Sequence, residues 1–231
     1  ERGGSLAGGH GNSVPRFHIV WGTGPGIVEP FANQVIEAQK NGQIHFKGRH
    51  KVTELIVEAG AVTGVRGQLL EETTVERGQE SSRTVIGEFE YFADAVVVSS
   101  GGIGANLDLV KANWPSRLGN PPENMVCGVP AFVDGEMLEV TKQAGGRLVN
   151  RDRMWHYTEG LKNWDPIWPN HGIRILAGPS SMWFDAEGNR FSAPNFPGFD
   201  TLSTLEAIQK TGYDYSWLIL TEKIIEKEFA L

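Results

Sequence analysis

The sequence predicts an α/β protein, because helical and strand patterns alternate along its first half. Residues 28–42 place apolar side chains at helical spacing and end in Asn-Gly, which is typical of a helix stop. Residues 44–67 alternate polar and apolar side chains around a turn at Gly60, which predicts strands joined as a hairpin. Residues 93–100, ADAVVVSS, are apolar and β-branched at their centre, which predicts a strand covered on both faces. A helix, a meander and a buried strand together favour an α/β domain.

The remaining elements follow from the same periodicities. Residues 85–92 extend the hairpin into a meander, and the polar stretch before them, residues 71–83, predicts an exposed excursion between two strands. Further on, the pattern predicts a short helix over NLDLVKANW and a second helix over DGEMLEVTKQAGG, which Asp134 caps and Gly145 ends. It then predicts a hairpin in SSMWFDAEGNRF and a helix in FDTLSTLEAIQKTG, which begins at Asp200 or Thr201.

Composition limits the classes of partner. The net charge of −7 argues against nucleic acid or an anionic membrane surface, since either requires a basic face. The sequence contains neither a stretch of about 20 apolar residues nor the pattern of a signal peptide, so we expect a cytoplasmic protein without a membrane span. Cys127 is the single cysteine and is expected to be buried and inert, and the histidines show no metal-ligand spacing.

A change of composition predicts a domain boundary near residue 154. Beyond it, tryptophans lie among Tyr, His, Asn and Pro with little periodicity, so we expect one domain over residues 1–153 and a second over residues 154–231. The first residues are Gly-rich and the last resemble the middle of a helix, which suggests an internal fragment of a longer protein.

Two glycine-rich turns and one polar cluster are the candidate sites. The turn SSGGIG, residues 99–104, suits either close approach of a phosphate to backbone N–H groups or a tight strand-to-helix connection. Residues 10–26 contain a similar glycine-rich turn. Either its N–H groups bind an anion or a carbonyl oxygen, or the segment is a loop that wraps another domain. The cluster RMWHYTEG contains His156 and Tyr157, which suit proton transfer near neutral pH or are hydrogen-bonded core residues.

In order and spacing, five segments resemble the FAD-dependent flavoproteins that include fumarate reductases, succinate dehydrogenases and 3-ketosteroid dehydrogenases. Their closest similarity is to the branch of FAD-binding dehydrogenases that are like the ketosteroid enzymes. The five segments are the helix and hairpin VEPFANQVIEAQKNG to AGAVTGVRG, ADAVVVSSGGIGAN, VDGEMLEVTKQAGGRLVN, DRMWHYTEG and MWFDAEGNRF.

The resemblance implies a partial, Rossmann-like flavin-binding domain over residues 1–153, followed by part of an α+β cap domain over residues 154–231. FAD is the implied cofactor. Its ADP half would lie near the turn formed by Ser99, Ser100, Gly101 and Gly102. Its adenine would lie near the backbone of Val52, and its flavin side near Asp134. The family's GxGxxG unit is absent, so we expect this chain alone to bind FAD poorly.

The implied activity is transfer of hydrogen across a carbon–carbon bond next to a carbonyl, with hydride passing to or from flavin N5. Fumarate reductases carry a cap arginine where Phe199 precedes Asp200 here, which argues against a dicarboxylate and favours a larger apolar, ketosteroid-like small-molecule substrate. Tyr157 or His156 would move the proton, and Thr23 with nearby amides would polarise the carbonyl. The electron acceptor stays unspecified. The alternative is a non-catalytic binding or assembly module whose Trp-rich half is an interface.

Overall fold

The computed structural model describes residues 23–76, 78–175, 180–193, 195 and 201–228. Helices and antiparallel sheets are mixed along the chain, in agreement with the predicted α/β class at its coarsest level. The three sheets formed by the described residues are all antiparallel, so the parallel sheet expected of a Rossmann-like domain is not among them. The glycine-rich residues 10–22, Phe199 and Asp200 lie outside the described residues.

The largest sheet is the predicted meander. Strands β1 (His50–Glu58), β2 (Ala61–Leu70) and β3 (Val85–Phe92) pair in the order β1-β2-β3. The two-residue turn between β1 and β2 has φ of 49° at Ala59 and 81° at Gly60, which is the twist that a tight hairpin requires. The prediction of a hairpin is confirmed, although its first strand begins at residue 50 and not near residue 44.

Helix α1 (Thr23–Lys40) begins earlier than the predicted position 28. Pro25 lies in its first turn, where a missing N–H costs nothing. Gly42, with φ of 72°, follows the helix, as the Asn-Gly pair predicts. Several apolar side chains of α1 are exposed, and Phe31 is the most exposed of them at 66%.

The prediction of a strand over residues 93–100 is wrong. Residues 95–100 form no strand, and Val97 is 89% exposed. The physical reason is that none of the described strands runs beside this segment to take up its backbone hydrogen bonds.

The two short helices predicted next are both present. Helix α2 (Leu107–Ala112) begins where the side chain of Asn106 accepts a hydrogen bond from Leu109 N at 2.9 Å. Helix α3 (Glu136–Gln143) begins where Asp134 Oδ1 accepts from Glu136 N at 2.9 Å. Helix α3 packs against β1.

The described residues of the last third of the chain form two small sheets and two helices. Its sheets pair β4 (Gly160–Lys162) with β5 (Gly172–Arg174), and β6 (Met182–Phe184) with β7 (Trp217–Ile219). The predicted hairpin around Gly188 is present as a turn, in which Phe191 N donates to Trp183 O at 3.1 Å. The helices are α4 (Thr201–Lys210) and α5 (Glu222–Glu228).

The two predicted domains contact each other through Cys127. Its side chain is 2% exposed, and its backbone exchanges hydrogen bonds with Asn170 and Gly172, at 2.6 and 2.9 Å. The thiol is therefore buried, as expected for an inert cysteine. In the part of the chain that the structure describes, no helix combines the length and the hydropathy that crossing a membrane requires.

Candidate functional site

A cavity of about 750 Å³ lies between the meander, the start of α3 and the segment around Trp168. Five of the six residues predicted to hold the cofactor line this cavity, although they come from three separate parts of the sequence. They are Val52, Ser100, Gly101, Gly102 and Asp134. The sixth, Ser99, directly precedes them and is not part of the cavity wall. The volume is within the usual range for small-molecule and cofactor sites, about 300–1,000 Å³.

The glycine turn allows a ligand to approach the backbone closely. Gly101 has φ of 85°, a conformation that disfavours any residue with a Cβ. Gly102 lies on the cavity wall, and a Cβ built there would meet no protein atom within 4 Å. A side chain at residue 102 would therefore enter free space beside the cavity, which is the arrangement expected where a cofactor passes close to the main chain.

Asp134 shapes the site through the helix that follows it. Because its carboxylate accepts the N–H of Glu136, it fixes the first turn of α3 on the cavity wall. Lys51 Nζ lies 2.8 Å from Glu136 Oε2, which joins this turn to β1 and the backbone of Val52. The residues present thus fit a cofactor that contacts β1, the glycine turn and the start of α3 at once.

Trp168 adds an aromatic surface to the cavity wall, although it belongs to the half of the chain that is predicted to form the cap. Its indole stacks on the ring of His171 with centroids 3.7 Å apart, and its Nε1 donates to Cys127 O at 3.1 Å. His171 Nδ1 in turn accepts from Ile167 N at 3.1 Å. The indole is thereby held in one orientation and offers a flat surface to a planar ring.

His156 and Tyr157 lie outside the wall of this cavity. The half-buried ring of His156 packs against Trp114, with centroids 4.7 Å apart. Burial, and secondarily the positive charge of Arg117, lower the pKa of His156 below its ordinary value, so the imidazole is neutral at neutral pH. Its buried Nε2 has no hydrogen-bond partner among the described residues.

Tyr157 is half-exposed and lies beneath a cation. The guanidinium carbon of Arg174 is 3.9 Å from the centroid of the Tyr157 ring, which is a close cation–π contact. Arg174 Nε is 3.4 Å from Oε2 of Glu159, whose side chain is only 3% exposed. The guanidinium thus lies between the Tyr157 ring and the buried carboxylate of Glu159, although Arg174 Nε and Glu159 Oε2 form no hydrogen bond.

Thr23 is the remaining candidate residue. The backbone of Thr23 begins α1, but its side chain lies outside the described part of the structure, so its predicted contact with a substrate carbonyl stays a prediction. Among the described residues, no three His, Cys, Asp or Glu side chains lie together in a group that could hold a metal ion.

Sequence reasoning missed the cavity residues Arg49, Arg83, Phe132 and Trp168. They come from turns and loops whose position depends on contacts distant in sequence, and no local motif marks them. The only available signal was the cluster of tryptophans in which Trp168 lies.

Comparison with known proteins identifies the family and its cofactor. A family model described as an FAD binding domain matches residues 1–231. Two curated relatives, both called KsdD-like steroid dehydrogenases, are 58% identical over all 231 residues of the chain. One comes from Mycolicibacterium smegmatis and the other from Mycobacterium tuberculosis. The chain spans 42% of the first relative and 40% of the second.

These matches confirm the resemblance that the five sequence segments indicated. The glycine turn, the hairpin and the start of α3 lie together around one cavity. The chain belongs to the family of FAD-binding domains, within the flavoproteins that include fumarate reductases and 3-ketosteroid dehydrogenases, and its cofactor is FAD.

Proposed function

We propose that the whole protein is an FAD-dependent dehydrogenase that removes or adds hydrogen across a carbon–carbon bond next to a carbonyl. The observation that carries this proposal is the cavity, where five predicted cofactor residues meet in a chain that is 58% identical to KsdD-like steroid dehydrogenases. FAD, when bound, supplies the chemistry of hydride transfer. The chain's own residues bind the cofactor, orient the substrate and handle the proton.

Val52 offers its backbone to the adenine, and the turn from Ser99 to Gly102 lies beside the ADP half of the cofactor. The open space at Gly102 supports this arrangement, because it admits a ligand to the main chain. Asp134 is nearer the flavin side, where it fixes the first turn of α3.

The proton is assigned to Tyr157 or His156. The imidazole of His156 is neutral and its Nε2 has no hydrogen-bond partner among the described residues, while Tyr157 is half-exposed beneath the guanidinium of Arg174. Thr23 and neighbouring amides polarise the carbonyl of the substrate. We infer an apolar, steroid-like substrate that carries this carbonyl, because the relatives are called steroid dehydrogenases and the segment around Tyr157 is aromatic.

The test uses the purified full-length protein. Its absorption spectrum is expected to be that of an oxidised flavin, and a 3-ketosteroid with an artificial electron acceptor is expected to be dehydrogenated. The variants Tyr157→Phe and His156→Ala are compared at equal flavin content. General acid–base catalysis contributes about 100-fold to 10,000-fold, so the residue that moves the proton should show a loss in kcat of this order. If both variants keep wild-type turnover, the assignment of the proton is wrong.

A second candidate is the non-catalytic assembly module, which the exposure of two tryptophans favours. Trp155 is 84% exposed and Trp164 is 85% exposed, and exposed aromatic side chains often anchor interfaces. Sedimentation of the full-length protein at increasing concentration distinguishes the two candidates. A flavin-free protein that self-associates and is inactive with every 3-ketosteroid tested would favour the module.

A further inference from the structure

The small sheet of β4 and β5 brings a cation to the side of Tyr157. Gly160 of β4 and Arg174 of β5 are partners in its antiparallel register, so Arg174 lies beside the residues that precede β4. Ile175 N also donates to Glu159 O at 3.0 Å, which extends the pairing one step beyond the sheet. Tyr157 is only two residues further back along the same segment. The backbone register therefore places Arg174 next to Tyr157.

Contacts with the segment around Cys127 support this sheet from behind. Gly172 N donates to Cys127 O at 2.9 Å. A Cβ at Gly172 would lie 2.5 Å from Val126 Cγ2, and a Cβ at Gly160 would lie 3.1 Å from the same atom. The backbone of both strands thus packs directly on Val126. Because no space remains between the sheet and Val126, the strand that carries Arg174 has a rigid support.

The side chain of Arg174 is placed between two groups of the neighbouring segment. Its guanidinium carbon is 3.9 Å from the centroid of the Tyr157 ring, well within the distance of about 6 Å that defines a cation–π contact. On its other side, its Nε is 3.4 Å from the buried carboxylate of Glu159. A guanidinium is planar and stacks on aromatic faces, so this contact restrains the plane of the phenol ring.

Little else restrains Tyr157. Residues 154–157 belong to no helix or strand, and the ring of Tyr157 is 47% exposed. Within the described ranges, its phenol oxygen forms no hydrogen bond. The ring of Trp155 is 6.1 Å away between centroids, but Trp155 is itself 84% exposed and offers weak support. The orientation of the Tyr157 ring therefore depends mainly on Arg174.

We propose that Arg174 is a positioning residue for Tyr157, which holds the ring so that its phenol oxygen meets the substrate. The inference rests on the proposed function, in which Tyr157 is one of the two residues assigned to the proton. An acid or base works only within hydrogen-bond reach of the proton that it moves. Arg174 does not line the cofactor cavity, and its guanidinium stays protonated, so it neither binds FAD nor exchanges the proton itself.

The experiment is a double-mutant cycle on the full-length holoenzyme, measured as dehydrogenation of a 3-ketosteroid at equal flavin content. Arg174→Gln is expected to lower kcat about tenfold to a hundredfold, the loss that a displaced catalytic group causes, with little change in KM. In the Tyr157→Phe background the same substitution should have little further effect, because the oxygen that Arg174 orients is gone. Arg174→Lys keeps the charge but not the planar group, and should recover part of kcat. If Arg174→Gln does not fold, the cycle is run with Arg174→Lys.

Two further variants separate positioning from stability. Glu159→Gln breaks the same buried ion pair but keeps the guanidinium on β5 beside the ring. It should lower the free energy of unfolding and yet reduce kcat much less than Arg174→Gln does. Arg66→Gln is the control for the loss of an arginine, since Arg66 pairs with Glu54 and Glu90 and does not line the cavity, so its kcat should equal that of the wild type.

The outcomes distinguish this proposal from the assignment of the proton. If Arg174→Gln keeps wild-type kcat, or lowers it by the same factor with and without the Tyr157 hydroxyl, Arg174 does not position Tyr157. An equal loss of kcat in Glu159→Gln would reduce its role to stability and overturn the proposal as well. If Tyr157→Phe alone keeps wild-type turnover, the assignment of the proton to Tyr157 fails, and the role of Arg174 fails with it.

Discussion

Replacing Gly102 with alanine separates the binding of the cofactor from the stability of the fold. A Cβ at this position would meet no protein atom within 4 Å, and the backbone does not have a positive φ. The free energy of unfolding of the apoprotein should therefore be unchanged, or should rise by up to about 1 kcal/mol because the unfolded chain loses freedom.

The affinity for FAD should fall in the same variant. A methyl group forced into an occupied site costs about 1–3 kcal/mol, which corresponds to roughly a 5-fold to 150-fold increase in Kd. The measurement is a titration of the full-length apoprotein with FAD, monitored by the quenching of flavin fluorescence, beside urea unfolding of the same apoprotein.

Two neighbouring glycines provide the controls. Gly128→Ala adds a methyl group that also meets no protein atom within 4 Å, but Gly128 does not line the cavity, so its affinity for FAD should stay at the wild-type value. Gly101→Ala should destabilise the apoprotein by about 1–2 kcal/mol, because φ of 85° is strained for alanine. If Gly102→Ala binds FAD as tightly as the wild type, the cofactor does not pass close to this turn, and the argument from the cavity is wrong.

Three further predictions concern the packing around the two candidate sites. Gly67→Ala should destabilise the apoprotein by about 1–3 kcal/mol in urea unfolding, because its Cβ would overlap Lys51 O and lie 2.7 Å from Phe89 Cζ. Gly87→Ala is the control and should be close to neutral, since the atom nearest to its Cβ would be 3.9 Å away. Arg174→Gln should lower the free energy of unfolding by roughly 3 kcal/mol, the low end for a broken buried ion pair, because the Glu159 side chain, only 3% exposed, loses its cation. A loss well below 1 kcal/mol would contradict this prediction. Because folding lowers the pKa of His156, its contribution to stability should be complete above the unfolded pKa of about 6.5 and be lost as the pH falls from there through the lower folded pKa. His156→Asn should abolish that slope in unfolding curves from about pH 8 to about pH 5.

Sequence reasoning located the local elements well because their signals are local. The helices predicted over NLDLVKANW and DGEMLEVTKQAGG are present as α2 and α3, and Asp134 accepts a hydrogen bond from the first turn of α3, as predicted. The turn at Gly60 and the alternation around it define the hairpin of β1 and β2. The ends of elements were less accurate: α1 begins five residues before the predicted start at position 28, because proline in a first turn does not stop a helix.

The same reasoning failed where the hydrogen-bond partner of a segment or side chain is distant in the sequence. The apolar run at residues 95–98 has the composition of a buried strand, but a strand forms only where a neighbouring strand accepts its hydrogen bonds, and none of the described strands does so. Arg49 illustrates the converse case. Nothing in its local sequence indicates that a residue before β1 will tie together two carbonyl groups, which come from positions 71 and 82.

In the candidate site, too, sequence reasoning found the residues that a local motif marks and missed those that contacts distant in sequence bring there. The glycine turn was recognisable as a possible phosphate or backbone contact from its composition alone, and the family resemblance made it part of an FAD site. Residues 78–81 and Arg83 line the same cavity, but they belong to a polar segment without apolar periodicity, so no local pattern indicated their place. Arg83 and Trp168 reach the wall of one cavity from segments far apart in the sequence, because their positions depend on the tertiary fold and not on local periodicity.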